Sequence, residues 1–301
     1  MKKILLAFLV FSSLAEVRAQ GCSDAGFCST GSLQNGQLKF ENERSTVATS
    51  LAVASGENST LIVSPQIEMK MANEKGYFEF KLPYHVIDGD AGRNFGIGDL
   101  MATYSMPVKM KSKSMSLYGT GGFRFGLGNA GDGNVGKPFP MVYQTSLGTT
   151  DVILGVNLKW KKYLSVALGA QQPVLQYNIN SYEKTGYRGN DTSYFAARKL
   201  KRAGDVMLRV EGRYDFKDMG ISAGPLVIYH LMEDKMTATG ASESAIKGSS
   251  GMTLNVTAGV YYKTKTWIFD LNAGVPVITR DVRPDGLTRE WVVVPRFTLY
   301  L

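Results

Sequence analysis

Apolar and polar residues alternate with a period of two in twelve runs, at about 38–54, 59–71, 76–86, 97–108, 114–126, 150–161, 163–173, 204–216, 219–233, 251–263, 266–278 and 290–301. Such alternation sends successive side chains to opposite faces of a strand. In the eighth run Val206, Leu208, Val210, Tyr214 and Phe216 share one face, while Asp205, Arg209, Glu211, Arg213 and Asp215 share the other. Later, Leu254, Val256, Ala258 and Val260 oppose Thr253, Asn255 and Thr257; Trp267, Phe269, Leu271 and Val275 oppose Asp270 and Asn272. A soluble sheet with one wet face alternates in the same way, so the connections decide between the two. After even runs they are short: 72–75, 109–113, 161–162, 217–218 and 264–265. After odd runs they are long, at 87–96, 127–149, 174–203, 234–251 and 279–289, apart from a brief one near Gly56-Glu57-Asn58. Tight turns on one rim and long loops on the other mark a membrane barrel, and an even strand count returns both ends to the turn side. The expected fold is all-β: an antiparallel transmembrane β-barrel of about twelve strands, with short periplasmic turns and long extracellular loops.

The first residues supply a route to an outer membrane. Lys2 and Lys3 precede an apolar run from Ile4 to Leu14, and Val17-Arg18-Ala19 places small residues at −3 and −1. This reads as a cleaved secretory signal peptide over 1–19, because so short a run does not span about 30 Å of hydrocarbon. The expected organisation is then an N-terminal segment over 20–37 and a barrel over 38–301. No other stretch approaches the length of a transmembrane helix, which leaves a closed barrel as the one way to cross lipid. The formal charge of +8 includes a net +2 from Lys2, Lys3, Glu16 and Arg18, leaving +6 after cleavage. With an export leader, the counter-charge is expected to be anionic lipid headgroups or an anionic solute rather than nucleic acid.

Cys22 and Cys28 stand six positions apart just after the cleavage site. In an exported chain they read first as a local disulfide; acylation of Cys22 is the alternative, although Ala19 occupies the position where a leucine-like residue is expected. His85 and His230 are too remote to complete a metal site with them, and no metal or cofactor is expected. The last run carries Trp291, Val293, Phe297, Leu299 and Leu301 on its presumed outer face, like the terminal strand read by barrel assembly machinery, with Leu301 where an aromatic is usual. Trp160, Trp267, Trp291, Tyr84, Tyr104, Tyr163 and Tyr214 near run ends fit interfacial girdles or ordinary strand aromatics.

Fourteen charged residues are expected in the interior: Glu68, Lys70, Glu79, Lys81, Asp99, Arg124, Asp151, Lys159, Arg209, Glu211, Arg213, Asp215, Asp270 and Arg296. Mixed signs on neighbouring strands either pair to brace the wall or line a wet path. The longest loop, 174–203, mixes Tyr177, Tyr182, Tyr187, Tyr194 and Phe195 with Lys184, Arg188, Arg198, Lys199, Lys201 and Arg202. It reads either as a solvated loop or as a grip for a ligand or for lipopolysaccharide phosphates. Enzymatic activity is not expected, since neither histidine sits in a nucleophile motif and the glycines at 119, 121 and 122 lack a following Lys-Ser or Lys-Thr.

Two stretches resemble a known superfamily. Gly96-Ile97-Gly98-Asp99-Leu100, and Ser146-Leu147-Gly148-Thr149-Thr150-Asp151 followed by Val152-Ile153-Leu154-Gly155, are similar to patterns in outer-membrane transporters of the long-chain fatty acid and aromatic-hydrocarbon channel superfamily, including the meta-pathway phenol-degradation-like proteins. The stretch from Gly21 to Cys28 also resembles barrels of Bacteroidota. The resemblance implies an outer-membrane channel giving passive passage to a small, hydrophobic solute; that superfamily's fourteen strands and N-terminal plug are not evident here, where twelve runs are read and 21–37 is a short segment to enter the lumen. Its expected partners are outer-membrane lipid and lipopolysaccharide, the assembly machinery and that solute. A closed barrel acting through its loops is the alternative.

Overall fold

The computed structural model describes Leu33 and residues 44–112, 114–183 and 194–301. The leader, the Cys22 and Cys28 pair, the start of the first run and the loop residues Lys184, Tyr187 and Arg188 lie outside these residues. Twelve long strands follow in order: β1 Thr46–Ser55, β2 Leu61–Asn73, β3 Gly76–Gly89, β4 in two pieces (Gly92–Ile97 and Leu100–Val108), β5 Met115–Phe125, β6 Thr149–Trp160, β7 Leu164–Gln176, β8 Asp205–Phe216, β9 Met219–His230, β10 Gly251–Lys263, β11 Trp267–Ile278 and β12 Trp291–Tyr300. Each pairs antiparallel with its neighbours in sequence. The ring closes where β1 meets β12, with Val47 opposite Leu299 and Ser50 opposite Arg296. Closure leaves no lipid-exposed sheet edge, which hydrocarbon would penalise by several kcal/mol per unpaired group.

All twelve runs read from the sequence form strands of this ring. The alternation also has the expected phase. Leu208, Tyr214 and Phe216 of β8 are exposed, whereas Asp205, Arg209 and Glu211 are buried. On β10 Val256 and Val260 face out, and Thr253, Asn255 and Thr257 face in. Around the whole outer wall the exposed residues are large and apolar, among them Ile67, Leu154, Leu168, Leu271 and Val277. A continuous apolar belt of this extent is untenable in water and natural in lipid. Aromatic contacts gather at the turn end, where Trp267 lies 5.6 Å from both Tyr262 and Phe297 and Tyr214 lies 6.1 Å from Phe216. Among the described residues, no helix is long and apolar enough to cross a membrane.

Two connections differ from expectation. The stretch 87–96, read as a loop, instead prolongs β3 and β4 into a hairpin, with Asp88 opposite Arg93 and Gly89 opposite Gly92. Gly92 turns the chain at φ +130°, a conformation that only glycine adopts without strain. Below the hairpin β4 breaks at Gly98-Asp99, where the Gly98 N–H donates to the Pro83 carbonyl at 2.8 Å. The ninth strand stops at His230 rather than at 233, because that imidazole is clamped between Asp205 at the start of β8 and Asp234 in the loop that follows.

The phase generates a direct check. Val256→Arg on the lipid face should lower unfolding stability in bilayers by about 2–4 kcal/mol, read from urea titrations of the tryptophan signal. Thr257→Val, one residue along and facing inward, should not show that loss.

Candidate functional site

The lumen holds a cavity of about 320 Å³. Its extracellular part is walled by the apolar Ala54, Ile62, Ile87, Val142, Leu287 and Val292 together with Asp99, Arg124, Gln144, Asp285 and Arg289, and its periplasmic part by Glu68, Lys81, Arg213, Asp270 and Arg296. Charged groups line both ends, and the apolar patch lies toward the lid. Eight of the fourteen interior candidates border the cavity: Glu68, Lys81, Asp99, Arg124, Arg209, Arg213, Asp270 and Arg296. Of the other six, Lys70, Glu79, Asp151 and Glu211 are buried, and Lys159 and Asp215 are half-buried.

The charges are arranged in linked sets. Glu68 lies opposite Lys81 across β2 and β3; its carboxylate is 3.3 Å from Lys81 Nζ and 3.2 Å from Arg296 Nη2, and it accepts from Ser50 Oγ at 3.2 Å. One step toward the periplasm, Lys70 stands opposite Glu79, with its ammonium 5.2 Å from the Tyr77 ring centre. On the next sector Arg124 reaches Asp151 at 2.6 Å and Asp99 at 3.6 Å, and Gln171 donates to the same Asp151 carboxylate. Arg213 pairs with Asp215 at 2.8 Å while its guanidinium lies 4.4 Å from the Tyr261 ring centre. The Tyr261 hydroxyl donates to Asp215 at 2.5 Å. Asp270 accepts from Asn272 at 2.6 Å, and Lys159 sits 5.4 Å from the Tyr118 ring centre. Glu211 is buried beside Arg209 and Arg213 along β8. Pairing of this kind is what low-dielectric surroundings require of interior charges.

One arginine is engaged differently. Arg209 Nη1 donates to the Leu33 carbonyl at 2.8 Å, so part of the N-terminal segment lies inside the barrel. The Leu33 side chain is fully buried against Ile153, Ala167, Met207, Leu226 and Ile228. This set is apolar and inward-facing on β6 to β9, against the polar interior expected there, because a piece of chain rather than water covers it. Gly155 makes the fit possible, since a Cβ added there would lie 2.6 Å from Leu33 Cδ2. The faint sequence signal was apolar residues on both faces, as in Ile153-Leu154 and Met207-Leu208.

Described parts of the long loops fold inward over the cavity, while the hairpin tip at 239–245 stays exposed. The turn Met141–Tyr143 is buried and packs with Phe139, Tyr182 and Tyr194 onto Ala54, Ile62 and Ile87. Tyr143 and Tyr194 hydroxyls meet at 3.2 Å, and burial pushes the Tyr194 phenol well above its ordinary range. Beside them Arg202 binds Asp205 at 2.5 Å and Asp285 at 3.0 Å, and Arg280 binds Asp285 at 3.1 Å. His230 is held by Asp205 at 2.6 Å and Asp234 at 2.8 Å. Burial works to raise the Asp285 carboxyl, but Arg280 and Arg202 outweigh it and hold the group far below the usual carboxylate range. For Arg202 burial opposes the charge, and Asp205, Asp285 and Asp234 raise it above the usual guanidinium range. Three loops, 177–204, 231–250 and 279–290, are thus joined through buried ions. Three described basic residues of the longest loop are paired within the lid, Arg198 with Glu183 at 3.6 Å, Lys201 with Glu243, and Arg202 as above, whereas Lys199 is exposed.

Neither histidine shows nucleophile geometry. His85 Nδ1 lies 2.7 Å from Ser64 Oγ in the cavity wall, but its other nitrogen abuts the backbone at Gly98 instead of an acid. Nucleophilic serine chemistry needs the base oriented by such a third group.

No family model and no curated protein matches the chain. Among solved structures, an outer membrane channel from Pseudomonas putida F1 superposes with a TM-score of 0.59 at 13% identity, over 86% of this chain and 95% of that one. The CymD monoaromatic hydrocarbon channel gives 0.41 at 10% identity over 96% and 99%. The KdgM porin gives 0.43 at 12% over 85% and 99%. The first of these similarities shows the fold: a closed barrel of the outer-membrane type.

The lid predicts its own weak point. Asp285→Asn leaves Arg202 and Arg280 buried with too little counter-charge, a change worth about 3–5 kcal/mol. Backbone amides at 198–205 and 246–251 should lose hydrogen-exchange protection while those of β1 to β4 keep theirs. A depressed folded pKa stabilises at all pH above the ordinary carboxylate value and is lost as pH falls through the folded value. The Asp285 contribution should therefore be undiminished from pH 8 down to about 5.

Proposed function

We propose that the chain is a passive channel of the outer membrane for a small solute with an apolar part. The observation that carries this reading is the lumen cavity itself, whose wall near the extracellular lid sets an apolar group, Ala54, Ile62, Ile87, Val142, Leu287 and Val292, among polar and charged side chains. Its volume of about 320 Å³ falls at the small end of ligand sites. The apolar patch favours a hydrophobic group, and the charged side chains around and below it suit the polar part of the solute. The likeness to the Pseudomonas putida channel supports the reading, as do the resemblances of 96–100 and 146–155 to hydrophobic-compound transporters.

A second reading, a closed barrel that acts through its loops, draws on the packed lid and the paired interior charges. Permeation separates the two. Purified protein in liposomes should admit small aromatic solutes faster than sugars of equal size, and Asp285→Asn should raise the rate several-fold by loosening the lid. Uptake equal to that of protein-free liposomes, in both proteins, would leave the closed-barrel reading. Arg209→Glu places an acid where the Leu33 carbonyl now accepts and inverts one cavity charge. It should shift planar-bilayer selectivity toward cations; an unchanged reversal potential would remove Arg209 from the path.

A further inference from the structure

The positive charge of this protein is concentrated on one rim. All five turns at the periplasmic end carry exposed lysine: Lys75, Lys109 with Lys111, Lys161 with Lys162, Lys217 and Lys265. Arg44, just ahead of β1, adds another exposed cation. Against these eight stand two acids among the described residues of that rim, Glu74 and Asp218. At the extracellular end, the described connections hold ten basic and ten acidic side chains, in balance. The excess charge of the chain thus belongs to the turns.

Local conformation sharpens the point. Lys161 and Lys217 adopt φ of 51° and 56°, left-handed positions that Asn or Gly takes more readily in a tight hairpin. Lysine there runs against backbone preference. The turns lie directly beyond the aromatic band of Trp160, Tyr163, Tyr214, Phe216, Tyr262 and Trp267. Lys162 Nζ is 5.7 Å from the Tyr163 ring centre, and the Arg44 guanidinium is 5.4 Å from that of Tyr300. Interfacial aromatics sit at headgroup depth, which sets these cations at the level of lipid phosphates.

We propose that this ring of cations binds anionic phospholipid headgroups of the periplasmic leaflet. The distribution selects that partner. A headgroup layer surrounds a barrel on every side and meets all five turns together, whereas a protein or cell-wall strand would meet one sector and leave the rest without reason. Basic groups at an interface attract anionic lipid over a distance set by salt. The proposal stands apart from what passes through the lumen.

The three tryptophans allow a test from one end of the barrel. Replacing Trp291, at the extracellular end of β12, with Phe leaves Trp160 and Trp267, both at the periplasmic end. The Trp291→Phe protein is reconstituted in phosphatidylcholine vesicles containing either brominated phosphatidylcholine or brominated phosphatidylglycerol, and quenching is compared. The anionic lipid should be preferred by about threefold or more. The preference should fall to parity when Lys75, Lys109, Lys111, Lys161, Lys162, Lys217 and Lys265 are changed to Gln, and in the lysine-bearing protein at about 1 M salt. The salt arm decides even where the multiple variant fails to insert. Equal quenching by both lipids at low salt in the lysine-bearing protein overturns the proposal. So does parity together with lysine-dependent sedimentation on purified peptidoglycan, which would assign the ring to the cell wall.

Discussion

Hydrocarbon offers backbone N–H and C=O groups no partner, and that constraint dictates the molecule. A sheet satisfies it only by closing, here through the pairing of β1 with β12. Closure divides every strand into a face for lipid and a face for the lumen. The outer face becomes continuous and apolar, from Ile67 on β2 to Val277 on β11. The inner face must then accommodate nearly all the polar and charged side chains that the strands carry.

Those interior charges are costly to enclose, and the barrel manages them by pairing within and across strands. Glu68 serves Lys81 and Arg296 together, and Arg124 serves Asp99 and Asp151. These sets brace adjacent strands and border the cavity at the same time, so the distinction between wall and path is one of position rather than chemistry. Where the wall is greasy instead, along β6 to β9, Leu33 covers it. Part of the N-terminal segment is therefore a component of the lumen, held by Arg209.

The two rims solve different problems. At the extracellular end, loops carry balanced charge and bury it: Arg202, Arg280, Asp205, Asp234, Asp285 and His230 form one network that holds three loops down. Such a lid depends on each member, since removing one charge strands the others. At the periplasmic end, tight turns are too short to bury anything, and their lysines remain exposed beside the aromatic band.

The sequence by itself determined the strands, their phase and the sidedness of the barrel. Period-two alternation is a local property, and each of Val206, Leu208 and Val210 declares its face through its immediate neighbours. Glu68, Arg124, Asp151 and Arg209 are buried on the face opposite their apolar neighbours for the same reason. What the tertiary structure alone decided lies in contacts between residues far apart in the chain. Leu33 meets Met207, Arg202 meets Asp285, and Ser64 meets His85 through folding of loops and walls that have no period to read. The hairpin at 87–96 escaped notice because Asp88-Gly89-Asp90 has the composition of a loop although it pairs as strand and turn. Whether an inward apolar residue faces water or another segment depends on what fills the cylinder, and alternation along a strand carries no information about that.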